Sequence, residues 1–235
     1  MLECVFFDLD GTLLPMDMDT FTNGYFSLLA DKLAPLGYEK KKLIDSVWAG
    51  TKAMVKNDGS VTNRDAFWKV FGSVWDGSLE ASEELFESFY RNEFETVRSL
   101  CGYSEKASEV IGLLRDAGIG RVLATNPIFP EVATRARVRW AGLSWDDFSE
   151  VTTYENTCFA KPDIRYYEYL LEKTGCRAER CLMVGNDCAE DMVAEVCGMK
   201  VFLLTPCMIN PSGEDIGRWP HGDFEELEAY IRSLM

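Results

Sequence analysis

Several short runs in this chain are apolar at almost every position: Cys4-Val5-Phe6-Phe7, Arg121-Val122-Leu123-Ala124, Cys181-Leu182-Met183-Val184 and Val201-Phe202-Leu203-Leu204. Successive side chains of a strand point to opposite faces, so a strand without polar alternation must be covered on both faces. From residue 104 onward these runs alternate with helical patterns. The expected helices are one over 104–117 closed by Gly118, one from about 130, one from Asp163 with Ile164, Tyr167 and Leu171 on one face, one closed by Gly198, and a last from about Asp223, with a weak strand near Val151. Such alternation predicts an α/β fold with a parallel sheet, in which sites lie at the carboxyl ends of the strands.

Between the first run and residue 104 the pattern is purely helical. Four apolar faces are legible: Phe21, Tyr25, Leu28 and Leu29; Leu43, Ile44, Val47, Trp48, Met54 and Val55; Phe67, Trp68 and Phe71; and Leu85, Phe86, Phe89, Tyr90, Phe94 and Val97. Gly37, Gly50, Asn57-Asp58-Gly59, Gly72 and Gly77 are expected as turns between helices. The aromatic residues fall at helical spacing, which predicts that they form the core of this module.

The first apolar run stops at Asp8-Leu9-Asp10-Gly11-Thr12. Side chains two apart in extended backbone share a side, so Asp8 and Asp10 converge where a buried strand leaves its sheet. One carboxylate can attack an electrophile while the other handles a proton, and both offer the hard oxygens that Mg²⁺ prefers. Gly11 permits a sharp turn. A calcium loop starting at Asp8 is excluded, because it needs glycine at its sixth position and glutamate at its twelfth, where this chain has Leu13 and Asp19.

The bulk of the chain narrows its partners. Its 235 residues are 47% hydrophobic, enough for a large domain or a core with an insertion. A net charge of −15 argues against nucleic acid or an anionic membrane, whereas a small phosphorylated metabolite is compatible with a metal and a few local cations. No leader-like segment or membrane-length apolar run is visible, and the expected compartment is cytoplasmic. The eight cysteines include no Cys-x-x-Cys pair and read as reduced, mostly buried thiols. His221, the only histidine, sits in a turn-like Trp219-Pro220-His221-Gly222 and is given no catalytic role.

The other strand ends carry complementary groups. Strand 121–124 ends at Thr125-Asn126-Pro127, which offers a hydroxyl and an amide to a phosphoryl oxygen. Lys161 and Pro162 precede the helix at Asp163. Strand 181–184 ends at Gly185-Asn186-Asp187, with Asp191 four residues on and expected on the same helical face. Singly, each has an ordinary reading as a turn, a solvated charge or a helix cap. Together they place complementary groups on successive strand ends of one sheet.

As a set these elements resemble the motifs of the haloacid dehalogenase superfamily of phosphohydrolases. Asp8-Leu9-Asp10-Gly11-Thr12-Leu13 matches the first motif, Thr125 the second, Lys161 in Lys161-Pro162-Asp163 the third, and Val184 to Asp191 the fourth. The resemblance implies a Rossmann-like α/β core over 1–14 and 103–235, with an inserted all-helical cap over 15–102. It implies Asp8, Asp10, Thr125 and Lys161 as catalytic residues, with Thr125, Asn126 and Lys161 on the substrate phosphate. Asp8, Asp10, Asp187 and Asp191 are the implied Mg²⁺ ligands. Family members often have aspartate where this chain has Asn186, so Asp187 is expected as the direct ligand, with Asp191 nearby. The implied activity is hydrolysis of a small phosphomonoester through an aspartyl-phosphate on Asp8, with Asp10 as general acid and base, by a monomer or small homo-oligomer. A phosphomutase would keep the same core residues. A non-catalytic phosphate-binding or regulatory protein would need neither Asp10 nor the cap, and a dehalogenase would need no carboxylate at Asp10, since halide leaves without a proton. Lys52, Lys56, Arg64 and Arg91 are read as solvated charges.

Overall fold

The computed structural model describes residues 1–75 and 79–235. Six strands, β1 (Cys4–Phe7), β2 (Gly120–Leu123), β3 (Glu150–Val151), β4 (Cys181–Gly185), β5 (Lys200–Leu204) and β6 (His221–Gly222), form one sheet. Their order is β3-β2-β1-β4-β5-β6, and every pairing is parallel. All four residues of β1 and all five of β4 are buried, as strands covered on both faces must be. Phe7 is in register with Leu123 on one side and Val184 on the other. The ladder continues past these residues, with Asp8 N donating to Val184 O at 2.9 Å and Ala124 N to Phe7 O at 2.7 Å. That register brings Asp8, Thr125 and Gly185 to one edge.

Four helices, α1 (Met18–Leu33), α2 (Lys40–Val55), α3 (Asn63–Gly72) and α4 (Leu79–Arg91), lie between β1 and β2 in sequence. Asp17 caps α1 by accepting from Thr20 N, and Thr62 caps α3 by accepting from Asp65 N. Their aromatic residues pack on one another, for example Phe67 on Phe71 and Tyr25 on Phe94, so the expectation of an aromatic core holds. The remaining helices are α5 (Glu105–Asp116), α6 (Glu131–Trp140), α7 (Ile164–Thr174) and α8 (Phe224–Leu234).

Several expectations need correction. Gly50 is no turn: it is buried inside α2, where a Cβ would come within 2.4 Å of the Phe67 ring, so its bareness lets α3 approach. Gly72 closes α3, and Gly77 lies outside the described residues. Trp48 and Val55 are exposed. Phe94 and Val97 do not continue α4 but belong to a 3₁₀ segment, Glu93–Leu100. On α7 the buried residues are Tyr166, Tyr167 and Leu170, while Ile164 is exposed. The two phenols go inward because each finds a main-chain acceptor: Tyr166 Oη donates to Thr125 O at 2.9 Å and Tyr167 Oη to Glu190 O at 2.6 Å.

His221-Gly222 pairs with β5 at the sheet edge. Pro220 precedes it and accepts from Leu203 N at 2.9 Å, a place where its missing N–H costs nothing. All eight cysteines are free thiols, but only Cys4, Cys181 and Cys188 are buried, the other five being half-buried.

Candidate active site

The edge of the sheet at β1, β2 and β4 gathers the residues singled out in sequence. Lys161 has no solvent exposure, and its Nζ donates to Asp8 Oδ1 at 3.0 Å and to Asp191 Oδ1 at 2.6 Å. Burial disfavours the ammonium, yet Asp191 and Asp8 outweigh it and hold Lys161 charged, well above the usual lysine range. Thr12 Oγ1 lies 3.1 Å from Asp8 Oδ2 and 2.9 Å from Asn186 Oδ1. Having one proton, it serves one of these acceptors at a time. The amide of Asn186 is oriented by its donation to Cys207 O at 2.7 Å.

Gly11, at φ 84, turns the chain after Asp10. Asp10 Oδ2 pairs with Arg137, whereas Asp10 Oδ1 is buried without a protein partner. Burial pushes the Asp10 carboxyl up to about 6, with Arg137 opposing and Asp8 adding to the rise. Thr125 and Asn126 follow β2. The main-chain carbonyl of Thr125 is held by Thr152 Oγ1 at 2.6 Å and by Tyr166, and Asn126 Nδ2 donates to Glu190 Oε2 at 2.9 Å.

The fourth motif departs from its expected local structure. Residues 188–191 form a turn rather than the start of an α-helix, and a 3₁₀ segment, Met192–Cys197, follows before Gly198. Asp187 Oδ1 accepts from Ala189 N at 2.8 Å and Glu190 N at 2.9 Å, and Asp187 O accepts from Asp191 N at 3.0 Å, the bonds of a capped helical turn that then tightens into the 3₁₀ segment. One helical turn thus brings Asp187 and Asp191 together as expected, although no α-helix continues from it. They meet through the turn, with Asp187 N donating to Asp191 Oδ2 at 3.0 Å. Asp191 folds back over Gly185, where a Cβ would come within 2.1 Å of its carboxylate.

The donor chemistry fits a hard divalent cation. Asp8 and Asp191 pair with the buried Lys161, Asp10 pairs with the buried Arg137, and Asp187 Oδ2 has no protein donor among the described residues. No three acidic, cysteine or histidine side chains converge on one point among those residues. Mg²⁺ characteristically needs only one or two carboxylates, its remaining positions being filled by water and substrate phosphate.

Two features escaped sequence reasoning. Arg137 is fully buried on α6, and the signal was its spacing: Ala133, Arg137 and Trp140 share one helical face, so a charge sits on an apolar stripe. Asn63, at the start of α3, ties the helical insert to the core. Its Nδ2 donates to Pro127 O at 3.2 Å and Phe159 O at 3.1 Å, and its N–H to Thr157 O at 2.8 Å. Arg64 pairs with Glu83, Arg91 pairs with Glu87, and Lys52 and Lys56 are exposed, in keeping with their reading as surface charges. No helix among the described residues is long and apolar enough to cross a membrane.

A parallel sheet with acidic, basic and hydroxyl groups at its central strand ends makes up the candidate active site of an α/β fold. A family model described as haloacid dehalogenase-like hydrolase matches residues 2–194, and the chain belongs to that family. A phosphoglycolate phosphatase of Agrobacterium fabrum is 28% identical over 191 residues, covering 80% of this chain and 73% of that protein. A glyceraldehyde 3-phosphate phosphatase of Methanothermobacter thermautotrophicus is 43% identical over only 58 residues, 24% of this chain and 26% of that one. These names support the phosphohydrolase side of the family. The crystal structure of a 2-haloacid dehalogenase from Pseudomonas syringae pv. Tomato has a TM-score of 0.65 at 19% identity, with all of both chains covered, a likeness of fold alone.

Proposed function

We propose that this chain is a Mg²⁺-dependent phosphatase that hydrolyses a small phosphomonoester through an aspartyl-phosphate on Asp8. The observation that carries the reading is the pairing of Lys161 with both Asp8 and Asp191 beside an Asp10 carboxylate whose Oδ1 is free of protein partners.

In the first step an Asp8 oxygen attacks phosphorus, the bond from phosphorus to the ester oxygen breaks, and protonated Asp10 gives its proton to that oxygen. In the second, Asp10 accepts a proton from water as the water oxygen attacks phosphorus, and the bond to Asp8 breaks. Lys161, Thr125 and Asn126 hold the phosphoryl oxygens through both steps. Asp8, the main-chain carbonyl of Asp10, and Asp187 or Asp191 would hold the metal. When bound, Mg²⁺ supplies positive charge against the phosphoryl group and fixes its orientation.

The helical insert acts in this reading as the cap, and it carries a cavity of about 70 Å³ between its aromatic side chains and the segment from Ile128 to Pro130, just past Asn126. Tyr25, Trp48, Phe67 and Phe129 line it, and among the described residues no lysine or arginine does.

The test is phosphate release from a panel of phosphorylated sugars, nucleotides, alkyl and aryl phosphates, and phosphoglycolate, with Mg²⁺ or chelator, for the native chain and Asp8→Asn. Metal-dependent release that the variant lacks supports the reading. Transfer to a sugar hydroxyl without free phosphate would make the chain a mutase instead, and no reaction with any compound would count against an enzyme.

A further inference from the structure

We infer that Arg137, outside the four strand-end motifs, is a positioning residue that fixes which oxygen of Asp10 faces the leaving group. This rests on the phosphatase reading above, because it concerns how Asp10 performs its share of that reaction.

Arg137 is among the largest fully buried side chains of the protein. Removing a guanidinium from water carries a large desolvation cost, which its partners must offset. Its one carboxylate partner among the described residues is Asp10, reached through Nη1 to Oδ2. The rest of the group is held from α6 and the loop before it: Nη2 donates to Thr134 Oγ1 at 3.2 Å, Nε points at Ala133 O at 3.4 Å, and the guanidinium carbon lies 4.3 Å from the centre of the Phe129 ring. The planar fork is thus fixed by its own helix before it meets Asp10.

A purely structural role would be to fasten α6 to the loop after β1. An apolar side chain of similar volume does that as well or better, because a buried pair seldom gains net stability over hydrophobic packing. The two oxygens of Asp10 point to more than fastening. Oδ2 is clamped, while Oδ1 is buried and without a protein partner, one of only four side-chain atoms so placed among the described residues. Buried acceptors in native proteins are nearly always satisfied, and an exception at a reaction centre marks where a ligand atom belongs. With Oδ2 engaged by Arg137, rotation of the carboxylate is prevented and Oδ1 is the oxygen left for the ester oxygen and then for water.

The experiment compares native enzyme, Arg137→Met and Arg137→Lys on phenyl phosphate and p-nitrophenyl phosphate, substrates of nearly one shape. Phenolate needs a proton to leave; p-nitrophenolate scarcely does. If Arg137 acts through Asp10, Arg137→Met lowers kcat for phenyl phosphate about 10²-fold or more, in the range of lost general acid–base catalysis, with KM within a few-fold. On p-nitrophenyl phosphate the variant keeps a rapid burst of about one p-nitrophenolate per enzyme, then turns over slowly because water attack is impaired. Arg137→Lys shows the same pattern less deeply, and it carries the test should the methionine variant fail to fold. In an Asp10→Asn background Arg137→Met adds little, as expected of residues acting as a unit. Equal fractional loss on both substrates with a reduced burst, or unchanged kinetics, overturns the inference. A native enzyme inactive on both compounds and on the wider panel would overturn the phosphatase reading itself and, with it, the role given to Arg137.

Discussion

Lys161, closed off from solvent, donates from Nζ to Asp8 Oδ1 at 3.0 Å, linking two residues 153 positions apart in the chain. The same ammonium holds Asp191, so one cation restrains two carboxylates that would otherwise repel across the sheet edge. Lys161→Met should therefore abolish turnover and lower stability by about 3 kcal/mol or more, the usual cost of breaking a buried pair. Thermal unfolding measures it, and added Mg²⁺ should recover part of the lost Tm by binding the uncompensated acids. A variant as stable as the native chain would contradict the arrangement.

Asp187 and Asp191 should respond differently to amidation. Both oxygens of Asp191 are engaged, by Lys161 and by Asp187 N, whereas Asp187 engages protein donors through Oδ1 alone among the described residues. Asp187→Asn should raise the Mg²⁺ concentration needed for half-maximal activity tenfold or more with little change in Tm. Asp191→Asn should lower the Tm clearly, since Lys161 loses one of its two partners. Metal titration of activity alongside thermal unfolding separates the two, and the reverse ranking would refute this division.

Glu190 gives a pH dependence. Burial, with Asp191 and Asp187 adding and Lys161 and Asn126 opposing, pushes its carboxyl from 4.5 up to about 7. The folded protein then holds more protons than the unfolded chain between these values, so this contribution to stability is lost as pH rises through the window. In metal-free protein, Glu190→Gln should flatten the fall in Tm between pH 5 and pH 8, an effect of about 1 to 2 kcal/mol. An equally steep fall in the variant would show that Glu190 is not its source.

Asn63 predicts how firmly the helical insert sits. Its side chain joins α3 to Pro127 and Phe159, on the loops that carry Thr125 and Lys161. Asn63→Ala leaves two main-chain carbonyls without that donor, at a cost of about 1–3 kcal/mol. Hydrogen exchange should quicken in residues 57–64 and 154–159, and KM should rise more than kcat falls. Unchanged protection in both segments would contradict the contact.

Much of this site was legible from sequence because its groups follow directly on apolar strands. Once β1, β2 and β4 are recognised, parallel register fixes Asp8, Thr125 and the Gly185-Asn186-Asp187 segment at one edge. What escaped notice depends on contacts that local pattern does not encode. Arg137 reaches Asp10 across 127 positions, and only its place on the apolar face of α6 hinted at burial. Aspartate at 187 signals a capped helical turn, which is present, but nothing in the local pattern signals that it tightens into a 3₁₀ segment with Asp191 folded over Gly185. Gly50 looks like a turn in sequence because glycine marks turns more often than close helix contacts, and Phe67, whose ring it admits, lies 17 positions away.

The central claim is a phosphoryl group carried on Asp8. Turnover of the best substrate from the panel, quenched in acid within milliseconds, can be examined by mass spectrometry of the peptide containing Asp8. The account predicts a transient phosphorylated Asp8 in the native enzyme, its accumulation in Asp10→Asn and its absence in Asp8→Asn. Phosphate release by native enzyme with no phosphorylated peptide at any quench time, in either the native chain or Asp10→Asn, would mean that water attacks the substrate directly and would contradict it.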